Sequence, residues 1–388
     1  METRSIRAFL EPRHLELAAR IGEIAERRFA TLPPPADDAA ARGAARGLVE
    51  AMGEEGLAKF VLPGEPGSLR DLCLIREALG GASPLADALF ALQALGSMPI
   101  RLAASAEQSA HWLPEVAAGR AIAGFAMTEP EAGSDVGAIA TTAVRDGEGY
   151  RLDGVKSFIS NAGIADFYCV FASTDRAQGT RGISCFVVPA DAAGLRFVRP
   201  YVLSEPHPLG ELAFEGCRVP LSARLGEEGE GFKLGMRTLD RLRPTVAAAA
   251  CGMAARALAE AIAHARSRRQ FGAALADFQL VQAKLARMAT DLEAARLLTY
   301  RAAWERDQAS AADAGAKDSR GTREAAMAKL FATEAAQRIV DDAVQILGGR
   351  GVLASSTVDR LYRAVRALRI YEGTSEIQHL VIARELLR

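Results

Sequence analysis

The texture of the chain changes twice along its length, and that order constrains the fold more than any single motif. Residues 6–119 carry a helical, Ala- and Leu-rich pattern. Proline and glycine break it at Leu32-Pro33-Pro34-Pro35 and at Leu62-Pro63-Gly64-Glu65-Pro66-Gly67. Ser83-Pro84 has the form of an N-cap followed by proline at the first helical position, opening an apolar run over 85–104. Short apolar or alternating runs then take over, at 121–127, 150–159, 167–173, 183–189, 195–199 and 211–214. Asp146-Gly147, Asp153-Gly154, Asn161-Ala162-Gly163 and Gly179 supply turn chemistry between them. Closely spaced short strands of this kind predict an antiparallel barrel or sandwich.

From Gly231 the helical period returns. Val281, Leu285, Met288, Leu292, Ala295 and Leu298 step by three or four along one face. Met327, Leu330, Phe331, Ile339, Val340, Val344 and Leu347 form a second broad apolar face. The polar stretch 305–323 reads as an exposed turn, and long amphipathic helices joined in this way make a bundle. The expected architecture is α+β and multidomain. It has an all-α domain over 1–119, a β-barrel or sandwich domain over 120–228, and a four-helix-bundle domain over 229–388.

Composition narrows the class of function. With 388 residues the chain can bury a substantial core, and a formal net charge of -1 gives no global field toward nucleic acid or an anionic membrane. Cys73, Cys169, Cys185, Cys217 and Cys251 are scattered and never form a Cys-x-x-Cys pair. That speaks against a disulfide framework or a zinc site and fits a reducing compartment. Glu2, Arg4, Arg7, Glu11 and Arg13 interrupt any apolar signal core, and the uncharged apolar stretches 88–100 and 244–255 fall short of the about 20 residues that span a bilayer. A soluble, cytoplasmic protein without metal or membrane insertion is expected.

Two segments carry chemistry. Met127-Thr128-Glu129-Pro130-Glu131-Ala132-Gly133-Ser134-Asp135 follows a strand and offers hydroxyls and backbone N–H groups around tight turns. Such a loop suits a polar ring edge or a ligand amide, although the same composition also makes an ordinary capped turn. Tyr371-Glu372-Gly373-Thr374-Ser375-Glu376 sets a carboxylate between an aromatic ring and a glycine, ahead of a C-terminal helix. Desolvation there would make Glu372 a stronger base, whereas Thr374 could equally be a helix cap with Glu372 a solvated neighbour.

Both segments resemble the signature motifs of the acyl-CoA dehydrogenase family, and the resemblance runs over nearly the whole chain. It continues through Lys156-Ser157-Phe158-Ile159-Ser160-Asn161, Leu239-Asp240-Arg241-Leu242-Arg243, Arg268-Arg269-Gln270-Phe271-Gly272 and Gln345-Ile346-Leu347-Gly348-Gly349. The resemblance implies FAD as cofactor, with Met127, Thr128, Phe158 and Ser160 lining the flavin. Phe158 stands where tryptophan is usual, and Ser160 where threonine often stands. Arg268, Gln270 and Phe271 match a segment reaching across a subunit interface to the FAD diphosphate, for which a permanently charged guanidinium is suited. Gln279, Gln345, Leu347, Gly348, Gly349, Thr374 and Glu376 match further FAD positions. Ser134 matches a contact near the cofactor and the pantetheine arm of the substrate. Asp240, Arg243, Tyr371 and Gly373 are implied substrate contacts, and Arg243 is placed to influence the ionisation of Glu372.

Glu372 is the expected base. Relatives that carry their base on the earlier helix place it at the position of Leu242, which cannot accept a proton. The implied reaction is α,β-dehydrogenation of an acyl-CoA thioester, with electron-transferring flavoprotein as acceptor and a homotetramer, a dimer of dimers, as the assembly. An oxidase or a carrier-protein-linked acyl-thioester dehydrogenase is the alternative on the same fold, and a non-catalytic helical scaffold is a third. Leu95-Gly96-Ser97-Met98-Pro99 is expected to border the pocket. The stretch Leu203-Ser204-Glu205-Pro206-His207-Pro208-Leu209-Gly210 departs from the family pattern, and His207 reads as a loop histidine.

Overall fold

A computed structural model describes residues 2–62, 67–312 and 321–388. The proline-glycine break after Leu62 and the centre of the polar 305–323 stretch lie outside the described residues. Helices α1 (Pro12–Ile24), α2 (Asp38–Glu54), α3 (Leu69–Ala82), α4 (Pro84–Ala103) and α5 (Ala106–Ala117) come first. Their starts follow from the sequence. Asp37 accepts from the Ala40 N–H, Ser68 and Ser105 head reciprocal capping boxes with Asp71 and Gln108, and Ser83 Oγ accepts from the Ala86 N–H.

Strands β1 (Ala123–Ala126), β2 (Thr142–Asp146), β3 (Gly149–Ser160), β4 (Phe167–Ser173), β5 (Ile183–Pro189), β6 (Leu195–Pro200), β7 (Leu209–Pro220) and β8 (Arg224–Leu225) form one sheet, ordered β6-β7-β3-β2-β4-β5-β8 with β1 paired to β4. The sheet is mixed rather than purely antiparallel. β1 lies parallel to β4 from Ala123 opposite Phe167 to Ala126 opposite Val170, and β2 touches β4 in parallel at Thr142 and Ser173. β1 and β4 are buried along their whole length, which is the habit of parallel pairs covered on both faces.

The C-terminal segment holds α6 (Gly231–Ser267), a short hairpin of β9 (Arg269–Gln270) and β10 (Ala273–Ala274), then α7 (Gln279–Ala312), α8 (Thr322–Leu347), α9 (Thr357–Leu368) and α10 (Ser375–Leu386). Residues 305–312, expected in a turn, continue α7. Polar composition alone does not end a helix: Arg301 and Glu305 pair at one-turn spacing on its exposed face. By length and composition α6 could cross a membrane, yet Val246, Ala250, Ala254, Ala257 and Ala261 pack in a core with Met288 and Leu292 of α7 and Ala332, Ala336 and Ile339 of α8. All five cysteines are buried and free, and among the described residues no cluster of His, Cys, Asp and Glu is arranged to hold a metal ion.

By contacts the chain divides into two compact units. The first comprises Met1–Leu32, Ser68–Asp87 and Arg243–Arg388; the second comprises Pro33–Gly67 and Ala88–Leu242. In the first, α3 and α6 approach so closely that only glycine fits. A Cβ on Gly252 would stand 1.9 Å from the Glu77 carbonyl oxygen, and one on Gly80 2.8 Å from that of Ala249. Backbone carbonyls cannot swing aside as a side chain can. Gly252→Ala is therefore expected to destabilise the protein by about 1–3 kcal/mol through overpacking, read as a lower urea midpoint at unchanged slope.

Candidate active site

Glu372 lies between α9 and α10 with φ 53, in the left-handed region that side chains rarely occupy, and Gly373 follows at φ 91. Its Oε2 is sealed from solvent and accepts no hydrogen bond. Burial raises its pKa, and the positive charges of Arg76, Lys329 and Arg243 pull the other way without reversing the shift, while Asp87 adds to it. A half-buried carboxylate with one oxygen sealed from water, near cations yet bonded to none through that oxygen, is arranged to accept a proton.

The turn is held from three sides. Lys329 Nζ on α8 donates to the Gly373 carbonyl at 2.8 Å, and Gln378 Nε2 on α10 donates to the same oxygen at 2.9 Å and to the Glu372 carbonyl at 3.3 Å. Thr374 is the N-cap of α10, its Oγ1 accepting from the Ile377 N–H at 3.3 Å. The cap and the desolvated glutamate coexist, although the sequence presented them as alternatives. Arg369 and Ser375 both donate to Glu334 Oε1, at 2.8 and 2.6 Å, fixing the start of α10 to α8.

Arg76, Lys329 and Asp87 were not identified from sequence. Arg76 donates to both oxygens of Asp87 at 2.8 Å and to Thr245 Oγ1 at 3.0 Å, all three residues being buried. Burial works against its charge, but the Asp87 carboxylate outweighs that and holds the guanidinium ionised. A sequence signal existed: Arg76 interrupts the apolar run Leu72-Cys73-Leu74-Ile75, and Lys329 falls on the alanine face of α8 with Ala325 and Ala332.

Of the other candidates in the first unit, Arg243 is buried on α6 and contributes to the field at Glu372, as expected. Tyr371 is 37% exposed, and Glu376 is exposed. Arg268 lies just before the β9–β10 hairpin, Gln270 and Phe271 within it and Gln279 at the start of α7, with Phe271 97% exposed at φ 51. Gln345 is exposed in the last turn of α8 and Gly348 and Gly349 are exposed just beyond its end, Leu347 is half-buried, and a Cβ on either glycine would meet nothing within 4 Å. Leu242 is buried.

In the second unit the loop after β1 is tied to β3. The Ser157 N–H donates to the Thr128 carbonyl at 2.9 Å, so half-buried Thr128 adjoins Phe158. Phe158 is 61% exposed at φ 56, with its ring 4.8 Å from that of Tyr201. Met127 is buried, Ser160 half-buried and Ser134 exposed. Behind this ledge lies a second arrangement that the sequence did not disclose. Lys156 Nζ, with no exposed surface, donates to Glu129 Oε1 at 2.7 Å and to the Met127 carbonyl at 3.0 Å. Glu129 also accepts from the Ala140 and Thr141 N–H groups at 2.5 and 3.0 Å. Burial lowers the Lys156 pKa to about 8 against the pull of Glu129.

Half-buried Asp240 belongs to this unit too. The Leu95–Pro99 segment is packed on β1, where a Cβ on Gly96 would stand 2.7 Å from that of Ala123. In the unusual 203–210 stretch, burial pulls the pKa of His207 down to about 4 beside Asp38 and Arg42, and Arg42 fastens the Leu209 carbonyl at 2.6 Å.

An exposed aromatic face beside a hydroxyl and backbone groups fits a flat heteroaromatic ring, and exposed Arg268 and Gln270 fit a diphosphate. Comparison with known proteins agrees. The acyl-CoA dehydrogenase N-terminal, middle and C-terminal domain models match residues 11–120, 124–217 and 229–387. The chain is 41% identical to a 3-(aryl)acrylate reductase of Clostridium sporogenes, over 88% of this chain and 90% of that one. It is 38% identical to a cyclohexane-1-carbonyl-CoA dehydrogenase of Geobacter metallireducens, over 86% and 87%. The structure of butyryl-CoA dehydrogenase from Megasphaera elsdenii superposes with a TM-score of 0.87 at 30% identity, covering 98% of this chain and 99% of that one. The chain belongs to the acyl-CoA dehydrogenase family. It is an oxidoreductase, and its cofactor is FAD.

The buried pair beneath the Thr128–Phe158 ledge yields a prediction. Glu129→Gln leaves the Lys156 ammonium buried beside a neutral partner and should cost about 3–5 kcal/mol of stability. It should also lower the flavin-to-protein absorbance ratio after purification, because the loop bearing Met127 and Thr128 loses its tether.

Proposed function

We propose that the protein catalyses α,β-dehydrogenation of an acyl-CoA thioester to the 2-enoyl-CoA, with Glu372 removing the α-proton. The observation that carries this is the sealed Glu372 Oε2, unbonded and held on left-handed backbone among cations that do not bind it. Bound FAD supplies a hydride acceptor for the β-carbon. The chain's own residues supply the rest. Thr128, Met127, Phe158 and Ser160 hold the ring, and Arg268, Gln270, Phe271, Gln279, Gln345, Leu347, Gly348, Gly349, Thr374 and Glu376 serve the remainder of the cofactor. Ser134, Asp240, Arg243, Tyr371 and Gly373 contact substrate.

A carboxylate is too weak a base for an ordinary thioester in water. The developing negative charge on the thioester oxygen must be met by fixed donors, the Glu372 N–H among them, each worth about 3–4 kcal/mol when removed. Exclusion of water from Glu372 strengthens both the base and those donors. Short, branched or ring-bearing acyl groups are the proposed substrates. The names of the reductase and the cyclohexane-1-carbonyl-CoA dehydrogenase among its relatives support that range. Electron-transferring flavoprotein is the proposed acceptor. The three-part division at 119 and 228 and a homotetramer complete the proposal. Exposed Phe271, Leu280, Leu297 and Leu380 support assembly.

Two outcomes are expected. Glu372→Gln should keep yellow FAD yet lose about 10²–10⁴-fold in turnover, measured by anaerobic flavin bleaching against a panel of acyl-CoA thioesters. Near wild-type bleaching would remove Glu372 from the role. The acid limb of kcat/KM should lie above the ordinary carboxylate range. Burial raises the Glu372 pKa, and the protonated carboxyl that forms as pH falls through it cannot accept the α-proton.

A further inference from the structure

Lys329 lies in the middle of α8 with no exposed surface, and its ammonium donates to the carbonyl of the residue after the base. A buried ammonium requires compensating negative charge close by. The carboxylates that face it are Glu372, Glu334 and Glu376. Glu334 Oε1 is taken by Arg369 and Ser375, and Glu376 is exposed to water, which screens it. Glu372 remains, with a sealed oxygen that accepts no hydrogen bond. The other charges at Glu372 are arranged differently. Arg76 gives the largest cationic pull at Glu372, opposed in part by its own partner Asp87, which it binds through both oxygens, and Arg243 acts from α6.

We infer that Lys329 is a positioning residue for the base, fixing the left-handed Glu372–Gly373 turn through the Gly373 carbonyl and adding positive charge that favours the ionised form of Glu372. Gln378 performs the first task and not the second. It holds the same carbonyl, and the Glu372 carbonyl as well, without bringing charge. The ionisation of Lys329 sets a limit on the effect. Burial lowers its pKa to about 8, with Glu372 opposing that shift, so its field acts below that pH and fades above it. The role assigned to this charge rests on Glu372 being the base.

The test separates charge from tether and requires no substrate. In FAD-bound enzyme, the carboxyl C=O stretch of Glu372 is the infrared band that vanishes in Glu372→Gln, and it is titrated against pH. Lys329→Gln keeps a donor for the Gly373 carbonyl but removes the charge, so the midpoint should move to higher pH. Lys329→Arg should bring it back toward the wild-type value, and Gln378→Leu should move it less than Lys329→Gln does. A Lys329→Gln midpoint at or below wild type overturns the inference, as does an equal shift in Gln378→Leu. Should Lys329→Gln fail to fold, Lys329→Met, which loses charge and donor together, should move the midpoint up by more than Gln378→Leu, and an equal or smaller shift overturns the inference. If Glu372→Gln retained turnover in the bleaching experiment, the base assignment would fail, while the titration would still report whether Lys329 sets the ionisation of Glu372.

Discussion

The site depends on a balance at one carboxylate. Taking Glu372 out of water favours its neutral form, and three cations arrayed around it favour the charged form; burial prevails, and the pKa rises. Either extreme would be useless for proton abstraction. Without the cations burial would raise its pKa further, and with a guanidinium bonded to both its oxygens it would be a weaker base. The fold avoids the second outcome by giving nearby cations other partners. Arg76 is occupied by Asp87 and Thr245, and Lys329 by the Gly373 carbonyl. This requires α3, α6 and α8 to be packed tightly, which the glycine contacts between α3 and α6 and the alanine-lined core of the bundle permit.

Backbone strain marks the same places. Among the described residues, the non-glycine positions with positive φ are Phe158, Asn161, Phe271 and Glu372. Three of these are cofactor or catalytic candidates. Such conformations cost of the order of 1–3 kcal/mol each and persist only where the surroundings over-determine them. For Glu372 the restraint comes from Lys329, Gln378 and the Thr374 cap. Phe158 has the Ser157–Thr128 bond beside it and the Tyr201 ring against it, while Asn161 Nδ2 bonds the Ala123 carbonyl at 2.9 Å. Phe271 sits at the tip of the β9–β10 hairpin beside Gly272, which has φ 81.

The succession of helical, β and helical texture was legible because periodicity is a local property, as were the caps at Ser83 and Thr374. The parallel pairing of β1 with β4 was not, since 40 residues separate Ala126 from Phe167 and no spacing rule joins them. The motifs gave Glu372, Phe158 and Arg243 their places, but their supports went unread. Arg76, Lys329, Glu129 and Lys156 are charged residues, and in one dimension a buried charge looks like a solvated one. Helical phase was the usable clue. Lys329 shares the buried stripe of α8 with Ala325, Ala332 and Thr333, where an uncompensated ammonium would be prohibitive.

Comparison of the two buried lysines shows how the same group serves opposite purposes. Lys156 meets Glu129 directly at 2.7 Å, and Glu129 spends its remaining acceptor capacity on the Ala140 and Thr141 N–H groups. A carboxylate so fully bonded has its pKa lowered despite burial; it fixes a loop and takes no part in proton transfer. Lys329 stands instead on a carbonyl next to Glu372, close enough for its charge to act, while the sealed oxygen accepts no hydrogen bond. The first arrangement converts Coulomb attraction into rigidity. The second keeps the attraction as a field, and leaves the sealed carboxylate oxygen without a hydrogen bond.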